Sequence, residues 1–518
     1  MILILVGVIF RLVNLDGKIY WHDEVYTSIR AAGYTRGEID QTLFQNQIWT
    51  APDLQIFQQI KPGSTVVDTV RSLADEDPQH PPLYFVLARQ WMQWLGATPT
   101  ASRLLPALLS LLALPCIYAL AMELFASPLA ALFSTTVLAL SPFDILFAQN
   151  ARQYSLLTVT TIASSWLLLR AIRRNHWGDW LIYGISCALG FYTHPFFLLG
   201  LIAQGAYVLL FCVSKFPTPS FTRQTHPLRS PLWRFGIAVA IATLLYSPWI
   251  WVLTTNLQRA TATTNWTQSI VSISYLLKLW LLSFTSLLFD LDFGFYNPVT
   301  FWLRVPFLVI ILVAFYTVLR RTQWSTQLFL MIITLLPFLM LALPDLILGG
   351  KRSAVSRYLI ACYPGVQLAV GYWLATLFQE RFRLWRAIGM GMAIASLVSL
   401  GTSALSPVWW TSDLSYLNAE ITRQVNSSPS PVLVSDIGDD YTNTGDLLSI
   451  SYDLRPEVQL LLTSDSPNLG PLQEAIATGR TPFIWRPSAP LREAIEERQW
   501  KINFLNEDAR FGQIIMPN

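Results

Sequence analysis

The feature that most constrains this chain is a series of apolar runs, each close to the length of a bilayer crossing. A spanning helix needs about 20 largely apolar residues. In lipid, every backbone N–H and C=O must find a partner within its own segment, so runs of this length read as helices. Composition agrees: 53% of the 518 residues are hydrophobic and 13% are charged, against about 25% charged in an ordinary soluble domain. The expectation is an all-α polytopic membrane protein, with the lipid bilayer as its first partner. The net charge of +3 says little beside the placement of the positive residues, since Lys and Arg between spans mark the cytoplasmic side. No long basic tract points to nucleic acid.

Four basic groups set the sides: Arg170, Arg173 and Arg174; Lys215, Arg223, Arg229 and Arg234; Arg320 and Arg321; and Arg381, Arg383 and Arg386. Working outward from them predicts spans near 100–124, 127–148, 153–172, 178–195, 196–214, 235–254, 300–320, 324–343, 358–378 and 386–405. Met1–Leu15 is followed by no Ala-x-Ala-like cleavage site, so it reads as a first span rather than a signal peptide. It is short, which leaves room for a start further upstream, and Arg11 is expected to snorkel from its end. The count is then about 11, with the N-terminus inside and the C-terminus outside.

Two apolar stretches fail as spans. Residues 81–96 interleave Arg89, Gln90 and Gln93 with Trp91 and Trp94, and a crossing there would break the parity set by Arg170–Arg174. An amphipathic helix lying in the outer interface suits it better, and 267–297 reads the same way. The first outer loop therefore runs over 16–100. After Pro407 the pattern changes. Strands are expected at 431–435, 458–462 and 482–485 and helices at 472–478 and 491–499, a small outer α/β domain over 406–518. Asp436, Asp439 and Asp440 follow its first strand and read as a solvated loop. The four cysteines stand in apolar runs without metal-ligand spacing and read as core residues. Asn265-Trp266-Thr267 is a bare sequon.

Certain polar motifs fall on the outer side in a fixed order: Trp21-His22-Asp23-Glu24, His80-Pro81-Pro82-Leu83-Tyr84, Gln149-Asn150-Ala151-Arg152-Gln153-Tyr154, Tyr192-Thr193-His194 and Ser356-Arg357-Tyr358. This series over residues 1–405 resembles the GT-C glycosyltransferases, and more narrowly the protein-mannosyltransferase-like superfamily. That group includes the dolichyl-phosphate-mannose protein mannosyltransferases and the lipid A aminoarabinose transferase. The resemblance implies a transmembrane catalytic domain over 1–405, with the GT-C fold and amphipathic helices in its first outer loop. It also implies a mannosyltransferase-like enzyme of the inner (plasma) membrane with an extracytoplasmic site. Such an enzyme moves a sugar from a polyprenyl-phosphate donor to an acceptor protein, lipid or glycan, with inversion.

In that family the first-loop Asp is the general base, which carries over to Asp23. Adjacent residues on a helix point about 100° apart, so Glu24 is assigned to tuning or acceptor orientation. The alternative is that the pair only begins a surface helix, where acids are favourable. Arg357, Arg352, Lys351 and Arg152 are the candidates for holding the donor phosphate, against the plain reading of lipid-headgroup contacts. His80, Tyr84, His194 and Tyr154 are placed near the substrate. Asp144, near the outer end of its span, is expected to pair with Arg152. The mannosyltransferases imply catalysis without a metal, whereas other GT-C enzymes use a divalent ion; relatives carry an acid where Asn150 stands, which weakens the case for one here. A transporter or lipid flippase, or an inactive scaffold of the same fold, would also explain the spans. The polar loop at the start of the chain and the absence of Gly- and Pro-broken repeats at matching positions argue against the transporter, and Asp23 argues against the scaffold.

Overall fold

The structure, a computed structural model, describes residues 1–213 and 230–517. Lys215, Arg223 and Arg229 lie outside the described residues. Among these residues six helices are long and apolar enough to cross a membrane: Pro99–Phe125, Tyr154–Arg174, Pro231–Thr255, Pro298–Arg321, Trp324–Leu348 and Arg383–Leu405. A seventh crossing results if Pro128–Ala139 and Pro142–Ala148, bent by 57°, count as one. The chain is a multi-pass, mostly helical membrane protein. Helices also occupy Ile2–Leu12, Trp177–Thr193, Phe197–Val213 and Tyr363–Glu380, but these do not meet the same test of length and composition.

The chain divides into two compact units. The first comprises Met1–Leu15, Leu73–Tyr84 and Arg103–Leu405. Its most informative local feature is the bend at Ser141-Pro142. Proline cannot donate into the preceding helix, so the first half stops at Ala139, and Ser141 caps the second half by accepting from the Asp144 N–H. The break leaves carbonyls unpaired in an apolar setting, which is costly. Arg11 satisfies them. Its guanidinium donates to the carbonyls of Leu138 (3.0 Å), Ala139 (2.6 Å) and Gly7 (2.8 Å). Arg11 is buried, so the expected snorkelling does not occur: a partner inside the protein is nearer than water. Gly7 permits this approach, since a Cβ there would stand 2.1 Å from the Ala139 carbonyl oxygen. Asp144 lines a small cavity with Arg11, Ser155 and Thr158 and accepts from Gln367 Nε2 at 2.6 Å. Its partner is thus Gln367 and not Arg152, which faces another set of residues described below.

The second unit comprises Asp16–Ser72, Phe85–Ser102 and Ser406–Asn518. The loop expected with the membrane part therefore groups with the C-terminal segment, and the reason is strand pairing. Six strands, β1 (Gln47–Thr50), β2 (Pro431–Ser435), β3 (Gln459–Leu462), β4 (Thr481–Trp485), β5 (Lys501–Asn506) and β6 (Phe511–Ile515), form one mixed sheet in the order β1-β3-β2-β4-β6-β5. Strand β1 comes from the first loop and runs antiparallel to β3, with Gln47 opposite Leu462. The three central strands are parallel and buried, as hydrophobic runs covered on both faces require. Val432, Val434, Leu461, Ile484, Leu491 and Ile495 form the core between sheet and helices.

Of the acids after β2, Asp439 and Asp440 are exposed, as a solvated loop implies, and Asp436 departs from it. Asp436 is buried and accepts from the N–H groups of Gly438 and Ser488; burial raises its pKa in spite of these bonds. Asp439 accepts from the Ala489 N–H at the start of the Ala489–Glu497 helix, and Asp440 pairs with Arg486.

Candidate functional site

The residues singled out from the sequence fall into two groups, one in each unit. In the first unit, His80 precedes the Leu83–Leu95 helix, where Pro81 and Pro82 fix the backbone. Its Nε2 accepts from Arg152 Nη2 at 3.2 Å, and its Nδ1 faces Asp77 at 3.7 Å. His80 thus stands between an acid and a guanidinium. The Arg152 guanidinium lies over the Tyr154 ring at 5.8 Å. Tyr154 faces His194 at 5.9 Å, and the two histidine rings are 6.3 Å apart. His194 follows the Trp177–Thr193 helix, and its Nδ1 accepts from the Phe196 N–H at 3.1 Å. A neutral ring so held carries its proton on Nε2.

The same string of contacts continues through aromatic faces to the remaining cations. Phe196 packs on His194 at 5.2 Å and on Tyr358 at 4.2 Å. The Arg357 guanidinium lies over Trp266 at 5.9 Å and Tyr358 at 5.7 Å. Lys351 Nζ lies over the same Trp266 ring at 5.2 Å. Ring faces attract cations, so these contacts orient both side chains.

Arg352 differs. It pairs with Asp345 at 3.1 Å, and Asp345 also accepts from the Ser353 N–H and hydroxyl. Its charge is matched by a buried acid at the end of the Trp324–Leu348 helix. Tyr84 is fully buried.

Of the eight binding and substrate-proximal residues expected, His80, Arg152, Tyr154, His194, Arg357 and Lys351 are joined through these contacts. Trp266 was missed as a candidate, because in the sequence it is only the middle of a sequon. Its signal is a lone tryptophan among polar residues. Asp345 was legible as an acid closing an apolar run.

In the second unit, Asp23 and Glu24 open the His22–Ala32 helix, where acids favour the helix dipole. The two carboxylates have different surroundings. Glu24 is fully buried and accepts from the Trp21 N–H at 2.9 Å, a helix-capping arrangement. Asp23 is only partly buried. His22 beside it is buried, with Nδ1 3.4 Å from Asp446. Burial lowers the His22 pKa, but Asp446, with a contribution from Asp23, outweighs it and the opposing Arg486, so the value stands above that of a free histidine.

Residues 79–251 match the family described as dolichyl-phosphate-mannose-protein mannosyltransferase. ArnT from Cupriavidus metallidurans bound to undecaprenyl phosphate aligns with a TM-score of 0.52 at 14% identity, covering 100% of this chain and 99% of that one. The chain has the fold of that ArnT structure, and over residues 79–251 it is similar to the mannosyltransferase family. The apo state of the same ArnT aligns equally well, at TM-score 0.52 and 14% identity, covering 100% of this chain and 98% of that one. The oligosaccharyltransferase of Archaeoglobus fulgidus with zinc and sulfate is a looser likeness, with a TM-score of 0.45 at 12% identity over 99% of this chain and 72% of that one. No curated protein sequence matches the chain.

Proposed function

We propose that this protein is an inverting glycosyltransferase of the inner membrane, taking a sugar from a polyprenyl-phosphate donor to an acceptor hydroxyl at the outer face. The observation that carries this reading is the convergence of Arg152, Arg357 and Lys351 on aromatic faces from separate segments of the first unit. Charged donors on rigid supports suit a phosphate, and an apolar membrane setting suits an isoprenoid tail. The ArnT neighbour bound to undecaprenyl phosphate supports the same ligand class. In the proposed reaction the acceptor oxygen attacks the anomeric carbon as the bond from that carbon to the phosphate oxygen breaks. Asp23 takes the acceptor proton, and the arginines and Lys351 hold the charge that develops on the departing polyprenyl phosphate. Glu24, bonded to the Trp21 N–H, shapes the helix start instead. Eleven crossings, as the basic clusters require, would put this chemistry and the C-terminal segment on the extracytoplasmic side.

The test is product analysis by mass spectrometry with purified protein and a panel of polyprenyl-phosphate sugars, offered protein, lipid and glycan acceptors. Release of polyprenyl phosphate with one donor, matched by glycosylated acceptor, is expected. Silence with every donor, alongside gradient-dependent uptake in vesicles, would replace the transferase with a transporter.

A further inference from the structure

The 406–518 segment carries no role in the reaction proposed above, yet its contacts gather around the residue that reaction depends on. Ile19 N–H donates to the Pro407 carbonyl at 2.9 Å. Ser449 donates its hydroxyl to the Tyr20 carbonyl, and the Tyr20 ring meets Tyr452 edge-on at 5.2 Å. The His22 N–H donates to Ser415 Oγ at 2.9 Å. The His22 ring faces Asp446, which also accepts from Asn418 at 3.1 Å and from Arg486. At Gly445, beside Asp446, a Cβ would stand 2.5 Å from the His22 ring and 2.8 Å from the Tyr26 ring. The backbone is thus fastened immediately before Asp23, and the rings on either side of it rest on the Asn443–Ile450 helix.

Burying a histidine and an aspartate beside a partly buried arginine is a costly way to fasten a helix, since desolvation offsets much of the attraction. What such a set supplies over apolar packing is one fixed arrangement. A general base needs that, because it must meet the acceptor proton within hydrogen-bond reach, and a displacement of about 1 Å can cost about 100-fold in rate.

We propose that Ser415, Gly445 and Asp446 are positioning residues, which hold His22 and so fix the helical turn that presents the Asp23 carboxylate. This rests on Asp23 being the base. The C-terminal segment then acts as a frame for the first-loop helix, and it governs rate rather than donor affinity.

The experiment uses the full chain in nanodiscs, with whichever polyprenyl-phosphate sugar of the panel supports transfer, and compares wild type with Gly445→Val, Asp446→Asn, Ser415→Ala and Asp23→Asn. Transfer rate (kcat) and KM for the donor are measured, along with the affinity for polyprenyl phosphate alone. The expected result is a fall in kcat of about 10- to 100-fold for Gly445→Val and Asp446→Asn, less for Ser415→Ala, with donor KM and polyprenyl-phosphate affinity at wild-type values. Asp446→Glu should recover part of the lost rate. Wild-type kcat in Asp446→Asn and Ser415→Ala, with Asp23→Asn inactive, would overturn the positioning role while leaving the base in place. A parallel loss of phosphate affinity would also overturn it, since that marks general destabilisation; should Gly445→Val not accumulate, the two polar variants decide. Full activity in Asp23→Asn would remove the base itself, an outcome distinct from the others.

Discussion

At the scale of single residues, charge in an apolar setting is the main organising force. Arg11 shows it most simply, with three backbone carbonyls gathered around a buried guanidinium. Arg11→Met keeps the bulk and removes the donors. Leaving buried carbonyls unpaired costs about 1–3 kcal/mol, so the variant should show a lower apparent Tm in detergent; an unchanged Tm would mean that water replaces the guanidinium. The cations of the first unit divide by the same logic. Arg357 rests on Trp266 and Tyr358, whereas Arg352 is matched by Asp345. Arg357→Ala should weaken polyprenyl-phosphate binding about tenfold or more, the scale of one charge-assisted hydrogen bond. Arg352→Ala should act mainly on stability, through the buried Asp345 it abandons. Equal affinity losses in the two variants would erase the distinction. His22 adds a pH dependence. Its pKa is raised in the folded state, so the stability it contributes is fully present below about pH 6.5, the unfolded value. That stability is lost as pH rises through the higher folded value. The apparent Tm of wild type should fall relative to His22→Gln as pH rises across that interval, and parallel curves would rule the linkage out.

Elements were unevenly legible from the sequence. The strands at 431–435, 459–462 and 481–485 and the helices near 470–477 and 489–497 are continuous apolar or periodic segments, so local pattern was enough. Strand β1 was not legible. Gln-Ile-Trp-Thr is four residues long, and its partner β3 lies more than 400 positions away in the chain, beyond the reach of any local signal. The hairpin β5–β6 escaped for a related reason: β5 is largely exposed and lacks the apolar run that marked its neighbours. Helical geometry points the Asp23 and Glu24 side chains apart, but the capping bond that fixes Glu24 appears only once the helix start is placed. Trp266 needed knowledge of two cations brought to it from another segment. At the broken span, Gly7→Val would drive a side chain into the Ala139 carbonyl. It should lower the apparent Tm by at least as much as Arg11→Met, and a neutral result would mean that the Ile2–Leu12 helix can shift without loss.

At the scale of the whole molecule, the chain is woven rather than divided in two at residue 405. The first-loop segments Asp16–Ser72 and Phe85–Ser102 belong with Ser406–Asn518, and β1 completes its hydrogen bonds only on β3. A chain ending at Leu405 should therefore leave its first loop open to proteolysis around residues 44–60, where the full chain resists. Resistance in both would show that the loop folds alone. The central claim, that Asp23 serves as base in transfer from a polyprenyl-phosphate sugar, is tested most directly by measuring sugar transfer with wild type and Asp23→Asn side by side at matched donor occupancy. The account predicts transfer by wild type and a loss of about 100- to 10,000-fold in the variant, with polyprenyl-phosphate binding retained. Equal transfer by the two proteins would contradict it.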